Sequence, residues 1–346
     1  MSKFGQKIKN ATKHRVDKII EKLGNSIISS KTSACKITYG PVPSRRLGIS
    51  LGVNNIKPNT CSYNCVYCQA GDTECCSICI DSCLSSHELY LFLKKKVEEL
   101  EKNKINFDYI SFVPNGEPTL DVNLGKSIML IREFGYKIAV FTNSSLLWND
   151  NVKENLLFAD YVSVKVDTTD EEKWLKINRP HRKLSIEKVL NGIHEFTHSY
   201  SGILTTETML VKNLNDNLEN VERTCNYLNT LKRNLSYFAI PIRPPIEKYG
   251  VPPPKNILNE ISGFVKDNLP DVEMLCCPES NDFRASEDIE NEILGIISVH
   301  PLRETAAKSF LQSIGGNIEQ INDMLKRGLL REHIYSGERF FMSNHQ

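Results

Sequence analysis

Six short runs rich in β-branched and aromatic residues, at 49–54, 109–113, 138–142, 161–167, 203–211 and 235–240, alternate with stretches of helical length such as 87–102, 124–134 and 185–196. Alternation of this kind leaves few architectures. Each strand is followed by a helix that crosses back over the sheet, which builds a parallel sheet. Six units fall short of the eight that close a full barrel. The expected fold is therefore α/β, a partial (β/α)6 barrel of TIM type, with an open doubly wound sheet as the alternative. Either one presents its ligands at the carboxyl ends of the strands.

The composition supports a core of that size. The chain has 346 residues, 40% hydrophobic and 25% charged, which excludes general disorder. No apolar run approaches the ~18 residues of a membrane span. The opening Met1-Ser2-Lys3-Phe4-Gly5-Gln6-Lys7 lacks the apolar stretch of a secretory signal, so a cytoplasmic protein with no membrane partner is expected. Charge is unevenly spread. Residues 1–36 hold nine Lys/Arg against two Asp/Glu, whereas the rest holds 34 against 40. A basic N-terminal helical arm over 1–36 could touch phosphates or acidic partners, or be a solvated amphipathic helix.

After the proline-rich stretch at 243–254 and the Cys276-Cys277-Pro278 step, the pattern changes. Helical stretches at 288–298, 303–314 and 318–327 precede two short strands, 329–334 and 339–342, joined by a Tyr335-Ser336-Gly337-Glu338 turn. Three helices and a hairpin suggest a winged-helix-like module over 285–346, leaving 37–284 for the barrel. Such a module can bind nucleic acid or dock a protein. The basic pair Lys326-Arg327, with Glu319 and Asp323 nearby, gives weak electrostatic support for DNA.

Eleven cysteines are many for a protein of a reducing compartment, where structural disulfides are disfavoured. Seven of them fall within residues 61–83, which points to thiolate ligands for metal. Cys61-Ser62-Tyr63-Asn64-Cys65-Val66-Tyr67-Cys68 has C-x3-C-x2-C spacing. Three thiolates on one loop can hold three irons of a [4Fe–4S] cluster and leave the fourth open. Structural zinc sites and electron-transfer clusters normally use four ligands.

With these residues the chain resembles a radical S-adenosylmethionine (SAM) enzyme. The resemblance implies that the open iron chelates the amino and carboxylate groups of SAM. A 5′-deoxyadenosyl radical released by reductive cleavage would then abstract hydrogen from a substrate. It also implies a reductant such as flavodoxin or ferredoxin. Pro114-Asn115-Gly116-Glu117-Pro118-Thr119 is similar to the family's Gly-Gly-Glu motif, with Asn115 at its first position. The implied cofactor contacts are Tyr67, Asn115, Gly116, Glu117, Thr142, Asn143, Lys165 and Asp167, with Cys61, Cys65 and Cys68 on the cluster. The stretches 39–48, 51–55, 177–181, 209–212, 241–245 and 300–304 resemble a prokaryotic group related to the tRNA wyosine-base synthases. That likeness spans roughly 37–342.

Several readings stay open. Only Cys35 precedes the cysteine loop, so the second cluster that archaeal wyosine-base synthases carry there is not expected. Instead Cys76, Cys79 and Cys83, with Cys276 or Cys277 as a fourth thiolate, could hold an auxiliary cluster or zinc, or form a metal-free thiol loop. Arg45-Arg46 suits a carboxylate or phosphate bidentately, or a surface ion pair. Arg179 or His181 could meet SAM or substrate, whereas His194 and His198 read as surface residues and Cys225 as core. Three functions compete: a radical SAM enzyme with an unidentified RNA, peptide or metabolite substrate; a tRNA-modifying enzyme of wyosine-synthase type; and a non-catalytic iron–sulfur carrier or sensor.

Overall fold

The computed structural model describes residues 37–284 and 288–344; the basic arm expected over 1–36 lies outside the described residues. The described chain opens with β1 (Thr38–Ser44) and β2 (Gly48–Val53), an antiparallel pair. A short parallel pair, β3 (Thr60–Cys61) and β4 (Cys75–Cys76), occupies the long loop that follows. Then come α1 (Ser86–Lys102), β5 (Tyr109–Phe112), α2 (Leu124–Ile131), β6 (Lys137–Thr142), α3 (Asp150–Leu156) and β7 (Tyr161–Lys165). The alternation continues with α4 (Glu171–Asn178), α5 (Ile186–Ser199), β8 (Ile203–Met209), α6 (Leu218–Asn229), β9 (Leu235–Ala239), α7 (Lys255–Asn268) and β10 (Val272–Leu275).

The large sheet runs β1-β2-β5-β6-β7-β8-β9-β10, and every neighbouring pair from β2 onward is parallel. This is the expected α/β partial barrel, with all six expected strands present and one more strand at each edge. Period-two alternation explains how it packs. Leu51 and Val53, Ile110 and Phe112, Ile138 and Val140, and Val162 and Val164 are fully buried against the helices. The alternate positions Gly52, Ser111 and Ser163 are small, so the other face of the sheet leaves room inside the barrel. At Gly52 a Cβ would stand 2.1 Å from the Tyr39 ring, whose hydroxyl donates to the Val113 carbonyl at 2.7 Å.

The helices are set by local signals. Ser85 caps α1, accepting from the Glu88 amide while the Glu88 carboxylate accepts from the Ser85 amide, a reciprocal cap worth about 1 kcal/mol. Leu89, Leu93, Val97 and Leu100 then fall on the buried face of that helix. Among the described residues no helix is long and apolar enough to cross a membrane.

The last part of the chain forms α8 (Ile289–Ile297), β11 (Leu302–Arg303), α9 (Glu304–Ser313), α10 (Ile318–Lys326), β12 (Leu330–Tyr335) and β13 (Glu338–Ser343). Its sheet has the order β11-β13-β12, all antiparallel. Ile293, Ile296, Phe310, Ile321 and Phe341 make a core that also takes in Tyr39 and Val42 of β1. These helices thus pack directly on the edge of the barrel sheet. Arg327 of the basic pair is engaged with Glu290 at 2.6 Å and Asp323 at 3.2 Å.

Candidate active site

The loop after β2 carries Cys61, Cys65 and Cys68; Cys61 sits in the short strand β3, and the rest is fixed by backbone hydrogen bonds to distant segments. Val66 N–H donates to the Ile177 carbonyl (2.9 Å), Asn64 to Asn178 (3.0 Å) and His181 to Ser62 (2.8 Å). From the other side, Ile246 and Glu247 donate to the carbonyls of Cys68 and Val66 at 3.2 and 3.1 Å. The loop is clamped between the segment ending α4 and the one following β9. All three cysteines line one cavity of about 340 Å³.

Side chains finish the sulfurs' surroundings. Asn143 Nδ2 lies 3.4 Å from Cys61 Sγ and donates to Ser62 Oγ at 2.9 Å. Asn178 Nδ2 lies 3.4 Å from Cys65 Sγ and donates to Asp167 at 2.7 Å. Burial pushes the Cys61 thiol well up, with Glu117 adding to it, and pushes Cys65 up to about 12, with Asp167 adding to it; burial also raises Cys68. Thiols held this way keep their protons unless a cation replaces them. Three such groups on one wall, with amide N–H donors aimed at two of the sulfurs, fit a multi-iron cluster. Among the described residues no three His, Cys, Asp or Glu groups converge tightly enough for a single metal ion.

The Asn-Gly-Glu turn after β5 supports this loop from beneath. Gly116 has φ +141°, bridges to Thr60, and leaves only 2.0 Å between a would-be Cβ and the Thr60 carbonyl oxygen. Glu117 is buried and saturated: it accepts from Thr119 N–H (3.1 Å) and Oγ1 (2.6 Å), Thr142 Oγ1 (2.6 Å) and Asn143 N–H (2.7 Å). Glu117 and Thr142 therefore position Asn143, and their side chains have their hydrogen bonds inside the protein. Asn115 donates from Nδ2 to the Ser298 carbonyl at 3.2 Å.

The family described as the radical SAM superfamily matches residues 55–228, half of the chain and the half that builds this loop. The chain belongs to the radical SAM superfamily. A UPF0026 protein of Methanocaldococcus jannaschii is 41% identical over 310 residues, covering 89% of this chain and 96% of the relative. One of Helicobacter pylori (strain ATCC 700392 / 26695) is 31% identical, covering 80% and 88%. Among solved structures, a radical SAM methyltransferase from Sphaerobacter thermophilus shares the fold at TM-score 0.53 with 14% identity, covering 66% of each chain. A structure of TYW1 with a lysine–pyruvate adduct aligns at TM-score 0.49 with 12% identity, covering 64% of this chain and 74% of that one.

As a radical SAM enzyme the chain has a second, charged half to its cavity. Tyr67 donates to Asp167, and Lys165 lies over the Tyr67 ring, 4.9 Å from its centroid. Glu207, from the middle of β8, takes Lys165 at 2.6 Å and Arg46 at 2.7 Å. Burial would raise the Glu207 carboxyl, but Arg46, Lys165 and Arg45 hold it well below the usual range. Arg243 binds Glu279, the His300 ring at Nε2, and Gln69 Oε1 at 2.8 Å. Burial, then the Arg243 charge, lowers His300 to about 3, so the ring is neutral and accepts at Nε2. The stretches 241–245 and 300–304, far apart in sequence, meet here.

Other sequence candidates fall elsewhere. Arg179 ends α4 in a left-handed conformation and pairs with Glu247 at 2.7 Å and with Tyr249, so within that stretch Asn178 is the residue on the sulfur. His194 and His198 are exposed neighbours on α5, and Cys225 is core. Cys76, Cys79 and Cys83, expected as a possible second metal site, lie on a neighbouring loop outside the cysteine cavity, and nothing among the described residues supports a second cluster there. Their loop is tied down: Cys75 and Cys76 pair with Thr60 and Cys61, and Asp81 pairs with Asp121. All three are exposed, and neither they nor Cys276 and Cys277 line the cysteine cavity. The sequence reading passed over Asn178 and Glu207; a lone Glu inside the otherwise uncharged strand Ile203–Met209 was the available signal for the latter.

Proposed function

We propose that Cys61, Cys65 and Cys68 hold a [4Fe–4S] cluster and that the cavity they line takes SAM and a substrate. When bound, cluster and cofactor supply a 5′-deoxyadenosyl radical, formed with one electron from a donor such as flavodoxin or ferredoxin, that abstracts hydrogen from the substrate. The reading is carried by one observation: three half-buried cysteines from one clamped loop line a single cavity. Asn143 and Asn178 orient Cys61 and Cys65 and favour their thiolate forms. Gly116 gives the close approach that seats the loop, and Asn115 supplies backbone at the cofactor's edge of the cavity. Tyr67, Lys165 and Asp167 form a polar wall beside Cys65, with the Tyr67 proton held toward Asp167.

In this reading residues 37–284 are the catalytic barrel and 285–346 a winged-helix-like module, a division supported by the three helices and antiparallel sheet at that end. The module's role here is to cover the cavity. Anaerobic reconstitution with iron and sulfide, followed by SAM and dithionite, tests the reading. Release of 5′-deoxyadenosine is expected; a protein that binds the cluster yet releases none is a carrier or sensor instead.

A further inference from the structure

Four cationic side chains line the cysteine cavity: Arg45, Arg46, Lys165 and Arg243. Three are answered by carboxylates, since Arg46 and Lys165 share Glu207 and Arg243 has Glu279. Arg45 differs. Among the described residues no carboxylate lies within ion-pair distance of it, and its one side-chain hydrogen bond runs from Nη1 to the Leu275 carbonyl at 2.9 Å. Its remaining N–H groups are not sealed in protein either: the buried nitrogens without partners are those of Arg243, Arg303, Arg233 and Asn103.

The position of this guanidinium is specific. Arg45 follows β1 at one edge of the sheet and reaches β10 at the other, so it stands at the seam of the open barrel. It lines both the cysteine cavity and a second cavity of about 340 Å³ bounded by Gly48, Met274 and Cys277. The two share Ser44, Arg45 and Glu279. Burial works against its charge; Glu207 and Glu279 compensate from a distance while Arg243 and Arg46 repel it, and the balance lowers it to about 10. A partly buried arginine with unused donors and no carboxylate in ion-pair contact has a fork free to take an anion.

We propose that Arg45 binds an oxyanion of the substrate, a carboxylate or phosphate, where the two cavities meet. The inference rests on the reading of the cysteine cavity as the reaction chamber. A planar fork donating two N–H groups holds either anion in a fixed orientation, so the substrate is anchored at the seam while its reacting carbon faces the cysteine end. The carboxylate of SAM is the competing occupant, and the test separates the two.

Reconstituted holoprotein is unfolded thermally in titrations of inorganic phosphate and of acetate, each with and without SAM. Wild type is compared with Arg45→Gln, Arg45→Lys and the exposed control Arg182→Gln. A saturable rise in melting temperature with phosphate, acetate or both is expected for wild type and for the control. The anion responding names the substrate group. In Arg45→Gln the anion affinity falls at least about tenfold, as loss of a charge-assisted pair requires, while stabilisation by SAM stays within about twofold. Arg45→Lys keeps the charge but loses the fork and falls between. An unchanged anion response in Arg45→Gln overturns the proposal, as does a wild type that responds to neither anion. Loss of the SAM response instead assigns Arg45 to the cofactor and equally overturns it. Should Arg45→Gln fail to fold, unchanged anion affinity in Arg45→Lys is the overturning result. None of these readouts uses SAM cleavage, so a protein that binds anions at Arg45 but releases no 5′-deoxyadenosine refutes the radical reading alone.

Discussion

Two cysteine groups stand side by side in this chain, and their spacings are near mirror images: C-x3-C-x2-C at 61–68 and C-x2-C-x3-C at 76–83. The first is sunk in the barrel mouth, clamped by two flanking segments, with its thiols on one cavity wall. The second lies on an exposed neighbouring loop tied down at Cys76 and at Asp81, with the Cys76 thiol 3.8 Å from the Ser62 carbonyl. Spacing states only what a loop is able to reach. Whether the sulfurs share a cavity depends on how the backbone around them is held, and here β3 and β4 pair one cysteine of each group, Cys61 with Cys76, while only the first group faces the cavity.

The contrast breaks if the buried set proves dispensable. Cys65→Ala should lower bound iron from about four per chain to near zero and cut SAM cleavage by at least about a thousandfold, since one iron loses its anionic ligand. Iron and sulfide analysis with 5′-deoxyadenosine measurement reads both, and retained cleavage would falsify the assignment.

A second test sharpens the contrast in cluster-free protein. Alkylation at pH 8 should label exposed Cys79 at least about a hundredfold faster than Cys65, which is half-buried and whose thiol is pushed up to about 12. The sign for stability follows. The folded state holds the Cys65 proton to higher pH than the unfolded chain does, so cluster-free protein loses stability as pH rises from the ordinary thiol range toward 12. Equal labelling by mass spectrometry would show that the loop is open when empty.

Gly116→Ala probes the support under the buried loop. A methyl 2.0 Å from the Thr60 carbonyl must displace β3, at a φ that L side chains rarely adopt. A loss of about 2–4 kcal/mol in urea unfolding is expected, with reduced cluster content. The smallest effect belongs to the exposed group: Cys76, Cys79 and Cys83 all changed to Ser should leave iron at about four per chain and stability within ~1 kcal/mol. Iron falling by half in that variant would restore a second cluster.

The parts legible in the sequence were those with a local physical signature. All six central strands lie within three residues of their expected ends because they are rich in β-branched and aromatic residues, and most have one face apolar at period two. The edge strands were not legible for the opposite reason. Thr38–Ser44 contains two prolines and a glycine and exists only through pairing with β2, and Val272–Leu275 is a four-residue strip whose sole partner is β9. The site divides the same way. Cys61, Cys65 and Cys68 announce themselves by spacing, whereas Glu207 and Glu279 reach the cavity, and Asn178 the Cys65 sulfur, through folding of distant segments. Glu117 was legible as a motif residue, but its role was not: four internal hydrogen bonds make it a strut for Asn143.

The helices after residue 288 contribute more than bulk to the barrel edge. Ser298 receives Asn115, Val299 receives Gln69 at 3.3 Å, and His300 receives Arg243, so three consecutive residues near the C-terminus tile the chamber in which the radical would form. A chain cut before this segment would keep its cysteine loop and lose its shelter, exposing a reactive centre to water and dioxygen. If the cysteines hold the proposed cluster, its oxygen tolerance would depend on this distant segment, and truncation there should be felt first as a shortened cluster lifetime in air.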